Sequence, residues 1–438
     1  MNVILIAIDT LRADHLGCYG YNRPTSPHLD RLAGQGVAFT EAFSPHIPTH
    51  PSFTTVFTGV DVMTHNISCQ GGKVELDPGL PTLPEVLRAH GYYTASVDNL
   101  GRWFTRGFEK LHTYRWERDW SQPWRKAEAV DAAARPALAE AAAQDRPFFM
   151  FVHYWDPHTP YLPPPPFDRM FYGGDERDPD NQSMDPVWAF EPFRDYFAQW
   201  MAGTTDIRFP VAQYDAEIAY VDVALARFLN RLDELGLAEE TLVVVYSDHG
   251  EVLDDHEGWF DHHGLYDANV RIPLIMRCPG RIPAGLRLGG FVRTLDLAPT
   301  ILDFLGLADA PEAARLEGAS ALPLIREGSG RGLADELYLT ESTWMRKRGI
   351  RTHEWKLIAA LEPDFHGMPA TQLFHLSSDP GEQRNLAEER PEVVEGLRAR
   401  LADWVRRRLA ATGLPDPLET QDITLRRIGG QPTGRPRD

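Results

Sequence analysis

Over the first 300 residues, short apolar runs alternate with longer stretches of helical period. The runs VILIAI (3–8), YTASV (93–97), FFMFV (148–152), TLVVVY (241–246) and VRIPLIM (270–276) predict strands. Between them, the spacing of apolar residues predicts helices over 26–35, 51–58, 81–90, 125–144, 212–235 and 296–305. Near-continuous apolar strands separated by helices predict an α/β fold, a large and mostly parallel sheet flanked by helices on both faces. In such sheets, ligands gather beyond the carboxyl ends of the strands.

Three stretches depart from this pattern. Residues 159–210 are rich in proline, glycine and aromatic side chains and too long for an ordinary connection, so they read as an insertion, either a surface excursion or a wall of a site. After residue 330, strand-like pieces at 336–341, 348–351, 355–360 and 372–376 follow one another closely, and a helix follows over 390–411. This predicts a small α+β subdomain over 331–412, an antiparallel sheet with one helix, after a catalytic domain over 1–330. Residues 413–438 read as an extended tail, through which copies of the chain could associate.

Composition narrows the function. The chain has 438 residues, 43% of them hydrophobic, with 11 tryptophans, enough for a packed core. Lys+Arg 44 against Asp+Glu 63 leaves a net charge of −19, which argues against a nucleic-acid partner. An anionic substrate therefore needs local cations or a metal to overcome this background. Three scattered cysteines make neither a zinc pattern nor a disulfide framework. MNVILIAIDT lacks the plan of a signal peptide, and no run approaches the ~20 apolar residues of a membrane span. The expectation is a cytoplasmic protein with a small anionic ester as substrate and no membrane partner.

Candidate chemistry clusters at strand ends. Asp9 follows the first strand directly, and Asp248 and His249 follow TLVVVY in VVVYSDHGE. Carboxylate oxygen and imidazole nitrogen together suit a zinc-, manganese- or iron-type ion, although a single aspartate after a strand serves equally well as a helix cap. HYWDPHTPY (153–161) offers His153, Asp156 and His158 at another strand end, and DDHEGWFDHHGLYD (254–267) offers His256, His262 and His263 among five acids. In SPHIPTHPSFTTVFTG (44–59), three prolines frame Thr49 and His50. Pro51 at a first helical position would leave both at a helix amino end, where free N–H groups favour an anion. Thr49 could cap that helix, or act as a rigidly held hydroxyl that a nearby cation activates.

AIDTLRADHLGCYGYNRPTSPHLDRLAGQGVAFTEAFS, YDAEIAYVDVAL, SDHGE, LYDANVRIPLIM, VRTLDLAPTILDFLG and WKLIA…LFHLSSDPGEQRNLAEE resemble, in this order, the sulfatase family of the alkaline phosphatase superfamily. The resemblance implies that family's fold and a metal bound by Asp9, Asp248 and His249. It also implies catalytic roles for Thr49, His158 and His263, the last two at positions that contact the substrate's anionic oxygens. The departures matter most. The family's C/S-x-P-x-R stretch, whose Cys or Ser is oxidised to formylglycine, here reads Thr49-His50-Pro51-Ser52-Phe53. Superfamily relatives with an unmodified threonine form a phospho-threonine. Thr10 in place of a second aspartate, and His249 in place of an asparagine, imply one Mn²⁺ or Zn²⁺ rather than Ca²⁺. A second metal on Asp156, His158 and His263 stays open. Asn99 or Arg102 could replace a substrate-binding lysine, with His50 beside Thr49. The expected activity is metal-dependent hydrolysis of a phosphodiester or phosphonate monoester through a phospho-threonine. The alternatives are a sulfuric ester hydrolase, a phosphoryl transferase and a non-catalytic binding protein of the same fold.

Overall fold

The structure, a computed structural model, describes residues 1–424 and the backbone of 427–428 and 431–432. Eight strands form the main sheet, in the order Leu286–Leu288, Val37–Phe39, Leu274–Arg277, Thr241–Tyr246, Asn2–Ile8, Phe148–Tyr154, Tyr93–Val97 and Lys110–His112. All neighbours run parallel except Leu274–Arg277, which is antiparallel to both of its partners. Alternate residues of the central strand serve opposite faces. Ile4, Ile6 and Ile8 pack with the helices Lys126–Ala142 and Arg208–Glu234. Val3 and Leu5 pack with Thr49–Thr58, Leu83–Ala89 and Leu297–Phe304. Burial on both faces explains why these strands read as unbroken apolar runs.

Two expected elements differ in detail. VRIPLIM divides at Pro273, which has no N–H to continue a ladder: Arg271–Ile272 pairs with Ala42–Phe43, while Leu274–Arg277 joins the main sheet. The helix expected from 51 begins at Thr49, with Pro48 in the capping position and Pro51 inside the first turn, where its missing N–H costs nothing.

The insertion is no separate excursion. Its helices Asp185–Ala189 and Glu191–Phe197 deliver Val187, Phe193 and Phe197, with Tyr161 and Met201, to the same core that one face of the sheet builds.

Beyond residue 330, Glu336–Ser342, Arg346–Thr352, Trp355–Ala360 and Thr371–His375 form an antiparallel sheet, backed by the helix Pro391–Thr412. A fifth strand comes from far away in sequence. His46–Ile47 pairs in parallel with Thr340 and Glu341, so the segment leading into Thr49 is held by the small sheet. Of the expected tail, residues 413–424 are docked. Leu418 is buried, Asp416 pairs with buried Arg348, and Gln421 donates to the Asn66 carbonyl at 2.6 Å. The rest of that expectation, self-association included, falls on residues 425–438, whose side chains lie outside the described residues. Among the described residues, no helix is long and apolar enough to cross a membrane.

Removing one partner of a buried ion pair strands the other charge. Asp416→Asn should therefore lower the unfolding free energy by about 3 kcal/mol, measured by urea denaturation. A change within error would mean that residues 413–424 are not held as described.

Candidate active site

Because Ala7 pairs with both His153 and Tyr246, the carboxyl ends of three strands stand level. Asp9, the Ser247–His249 turn and His153 therefore converge. The Ser247 hydroxyl lies 2.7 Å from the Ile8 carbonyl and 2.6 Å from that of His249, and it accepts the Leu11 N–H at 2.9 Å. Thr10 adopts φ 55°, an outlier for a β-branched residue that costs on the order of 1–2 kcal/mol. Its surroundings hold it there. Its N–H donates to Asp248 Oδ1 at 3.3 Å, and its carbonyl accepts from the Tyr214 hydroxyl at 2.7 Å.

Asp9, Asp248 and His249 are fully buried, and one ligand atom from each lies within 4.8 Å of the other two. Asp9 Oδ1 and Asp248 Oδ2 have no hydrogen-bond partner. His249 Nδ1–H donates to the Gly250 carbonyl at 2.9 Å, which turns its Nε2 towards Asp248 Oδ2, 3.3 Å away. Two unpartnered carboxylate oxygens and an imidazole nitrogen converge here, a set of atoms that could hold a divalent metal. Beneath them, His153 lies 3.3 Å from Asp9 Oδ2 through Nε2 and 2.9 Å from Asp98 Oδ1 through Nδ1. Burial opposes protonation of this ring, but the two carboxylates outweigh it and raise its pKa to about 10. The two aspartates move apart. Burial opposes ionisation of Asp9, but the His153 hydrogen bond and the charges of His158, His153 and His249 hold its carboxyl well below the usual range. Burial and the charge of Asp9 push Asp248 up to about 6.

Thr49 Oγ1 is 3.3 Å from His249 Nε2. The Ser52 hydroxyl, one turn on, donates to the Asp248 carbonyl at 2.8 Å and accepts from Ser44 Oγ at 3.0 Å, which ties the helix to the metal-ligand turn. The helix can be wholly buried because Thr54, Thr55 and Thr58 return their hydroxyls to carbonyls four residues back.

The remaining expected residues divide. His158 is drawn in, its Nδ1–H donating to the Thr159 carbonyl at 2.8 Å. Of the neighbouring histidines, it is His262 that joins the site, its ring 4.9 Å from both His158 and His249. His263 turns away to stack on His366 at 4.3 Å, with Nδ1 3.6 Å from Asp261, because consecutive residues of this turn face opposite sides. Asn99 and Arg102 have other partners. Asn99 exchanges hydrogen bonds with the Tyr114 backbone at 2.9 and 3.3 Å. Arg102 is bound by Glu75 at 2.6 Å and the Val74 carbonyl at 2.8 Å, and covers Trp103 at 4.3 Å. His50 lies between Trp103 and Phe104, and burial together with the Arg102 charge lowers its pKa to about 4. Asp156 lies 3.4 Å from Lys126, which also faces Glu217 and donates to the His158 carbonyl at 2.6 Å. Asp156 is thus part of a buried charge network.

Sequence reasoning left Asp98, Glu251 and Ser52 without roles and did not settle His153. Two signals were available. Asp98 follows a strand as Asp9 does, and His153 breaks the apolar face that Phe149 and Phe151 begin.

The sulfatase family profile matches residues 1–307, and an N-sulphoglucosamine sulphohydrolase C-terminal profile matches 255–407. The chain belongs to the sulfatase family. It is an ester hydrolase of the kind that acts on sulfate or phosphate esters. It is 26% identical to the N-acetylglucosamine-6-O-sulfatase of Bacteroides thetaiotaomicron, over 88% of this chain and 82% of that protein. It is 27% identical to human arylsulfatase K, over 91% of this chain and 81% of that protein. The phosphonate monoester hydrolase of Agrobacterium radiobacter superimposes with a TM-score of 0.73 at 25% identity, covering 93% of this chain and 96% of that one.

Asp248→Asn removes a charged ligand from the three-residue group while keeping its shape. Elemental analysis of protein loaded with Mn²⁺ or Zn²⁺ should find one ion per chain fewer than in wild type. Equal metal content would reject these residues as the ligands.

Proposed function

We propose that this family member hydrolyses phosphate esters of single negative charge, phosphodiesters or phosphonate monoesters, with Thr49 as nucleophile. The observation that carries the reading is the Thr49 hydroxyl, 3.3 Å from His249 Nε2, beside the Asp9–Asp248–His249 group and at the amino end of a buried helix. A threonine cannot become the formylglycine aldehyde, because its β-carbon carries a methyl group. The arginine of the formylglycine motif has no equivalent either, since Phe53 packs against Phe104, Phe151, His153 and Tyr246.

A divalent ion on Asp9, Asp248 and His249 would lower the pKa of an adjacent hydroxyl and offset anionic charge. Two carboxylates and an imidazole suit Mn²⁺ or Zn²⁺ better than Ca²⁺, which prefers a larger all-oxygen shell. The chain's own residues supply the rest. Thr49 Oγ, its proton released to solvent, attacks phosphorus as the P–O ester bond breaks, the leaving oxygen takes a proton from water, and a second water hydrolyses the phospho-threonine to restore the hydroxyl. His158 has its Nδ1–H on a carbonyl, so its Nε2 donates to the ester oxygens once it takes up a proton, which the substrate's negative charge favours, and His262 takes the part first assigned to His263.

Charge supports a monoanionic substrate. Nearby basic side chains are committed elsewhere: Arg12 to Asp14 and Asp255, Arg102 to Glu75, and Lys126 to Asp156 and Glu217. A dianionic phosphomonoester would meet too little compensating charge. Sulfate monoesters are also monoanionic, and the sulfatase relatives keep that second reading in view.

Thr49→Ala should keep fold and metal content while cutting turnover on the preferred ester by several decades, and Thr49→Ser should retain part of it. The panel is an aryl phosphodiester, a phosphonate monoester, a phosphomonoester and a sulfate ester. Wild-type turnover by Thr49→Ala would remove the mechanism. A preference for the sulfate, with a sulfuryl adduct on Thr49 resolved by high-resolution fragmentation, would transfer the assignment to sulfate esters.

A further inference from the structure

Beside the Thr49 centre lies a second group of ligand-type atoms, of which the proposed reaction uses only the outward nitrogen of His262. We propose that Glu251, Asp261 and His262 form a second divalent-cation site. One ligand atom from each lies within 4.8 Å of the other two, and all three residues are buried.

Three observations carry the assignment. Glu251 is fully buried, and neither carboxylate oxygen is in hydrogen-bond geometry with any group, the neighbouring Tyr161 hydroxyl included. An ionised carboxylate in that position needs a counter-charge, and protein cations do not supply one. The nearest guanidinium, on Arg12, reaches only the main-chain carbonyl of Glu251, at 3.2 Å, and its charge is taken by Asp14 and Asp255. Asp261 is a second buried carboxylate, held in place by the Trp344 indole N–H and the His262 backbone N–H. Finally, His262 Nδ1 makes no hydrogen bond, although it stands 3.2 Å from Asp261 Oδ1 and 3.9 Å from Glu251 Oε1. Two carboxylates and one imidazole nitrogen that converge within 4.8 Å make a borderline site that suits Mn²⁺ or Zn²⁺ and leaves coordination positions for water.

The site is distinct from the first in all its ligands, yet adjacent to it, because the His262 ring lies 4.9 Å from that of His249. An imidazole bound through Nδ1 carries its proton on Nε2. A cation here would thus fix His262 as a hydrogen-bond donor beside His158 and His249.

The test is stoichiometry, independent of turnover. Wild type, Glu251→Gln, Asp248→Asn and the double variant are dialysed against Mn²⁺ or Zn²⁺, desalted and assayed for metal, with circular dichroism as the check of fold. The expected contents are two, one, one and none per chain. With Mn²⁺, wild type should give a paramagnetic resonance spectrum broadened by dipolar coupling between two nearby ions, and Glu251→Gln the spectrum of an isolated ion. Glu251→Gln with wild-type metal content would overturn the proposal and leave the two carboxylates sharing a proton instead. If Asp248→Asn alone retains all its metal, the first site fails while this one stands.

Discussion

Two carboxylates, Asp9 and Asp248, are buried within a few ångströms of each other because the strands that precede them are paired neighbours. Burying two like charges is among the most unfavourable arrangements a fold can contain, and packing alone cannot offset it. The surrounding loops answer that constraint. His153, charged between Asp9 and Asp98, relieves one side from below. Thr10 accepts a strained backbone to bring its N–H to Asp248. The side facing the helix is left with bare oxygens and a histidine nitrogen, and there the chain leaves room for a cation.

Orientation at the site depends on rigid elements that meet from several directions. The sheet fixes the ligands, the helix fixes Thr49, and Ser52 joins the two through the Asp248 carbonyl. The insertion contributes Phe193, whose ring lies 6.3 Å from His263 and packs on Trp344, so the aromatic wall next to the histidines is part of the core. Free positive charge is scarce, because Arg12, Arg102 and Lys126 already serve acids. A chain with net charge −19 has thus kept its anion-binding capacity in histidines and, on our reading, in bound metal.

Much of this was legible in the sequence. Strand-end acids are readable because parallel sheets place chemistry there, and that rule singles out Asp9, Asp248 and His249, which the fold brings together. The main sheet was legible because both of its faces are buried, which writes each strand as one apolar run. Contacts set by turn geometry were not legible. Whether His262 or His263 faces inward depends on the rotation of one irregular turn, which no periodicity records. Asn99 and Arg102 are plausible anion ligands by type, and only the positions of Tyr114 and Glu75 reveal that they are occupied. The edge strand His46–Ile47 is two residues long and pairs with a segment almost 300 residues away, below any local signal.

That edge strand also sets a timetable. During synthesis the residues around Thr49 leave the ribosome early, but their partners Thr340 and Glu341 follow only after most of the chain has emerged. Loop-closure entropy makes so distant a pairing a late event. The central sheet can gather its strands in the meantime, as domains tend to form from the amino terminus onward. The Thr49 segment therefore gains its last support only when the small sheet assembles. A nascent or prematurely ended chain would carry a largely formed α/β core with an unfinished active centre. The arrangement at Thr49 is thus completed together with the small sheet, not with the main sheet on which Asp9 and Asp248 stand.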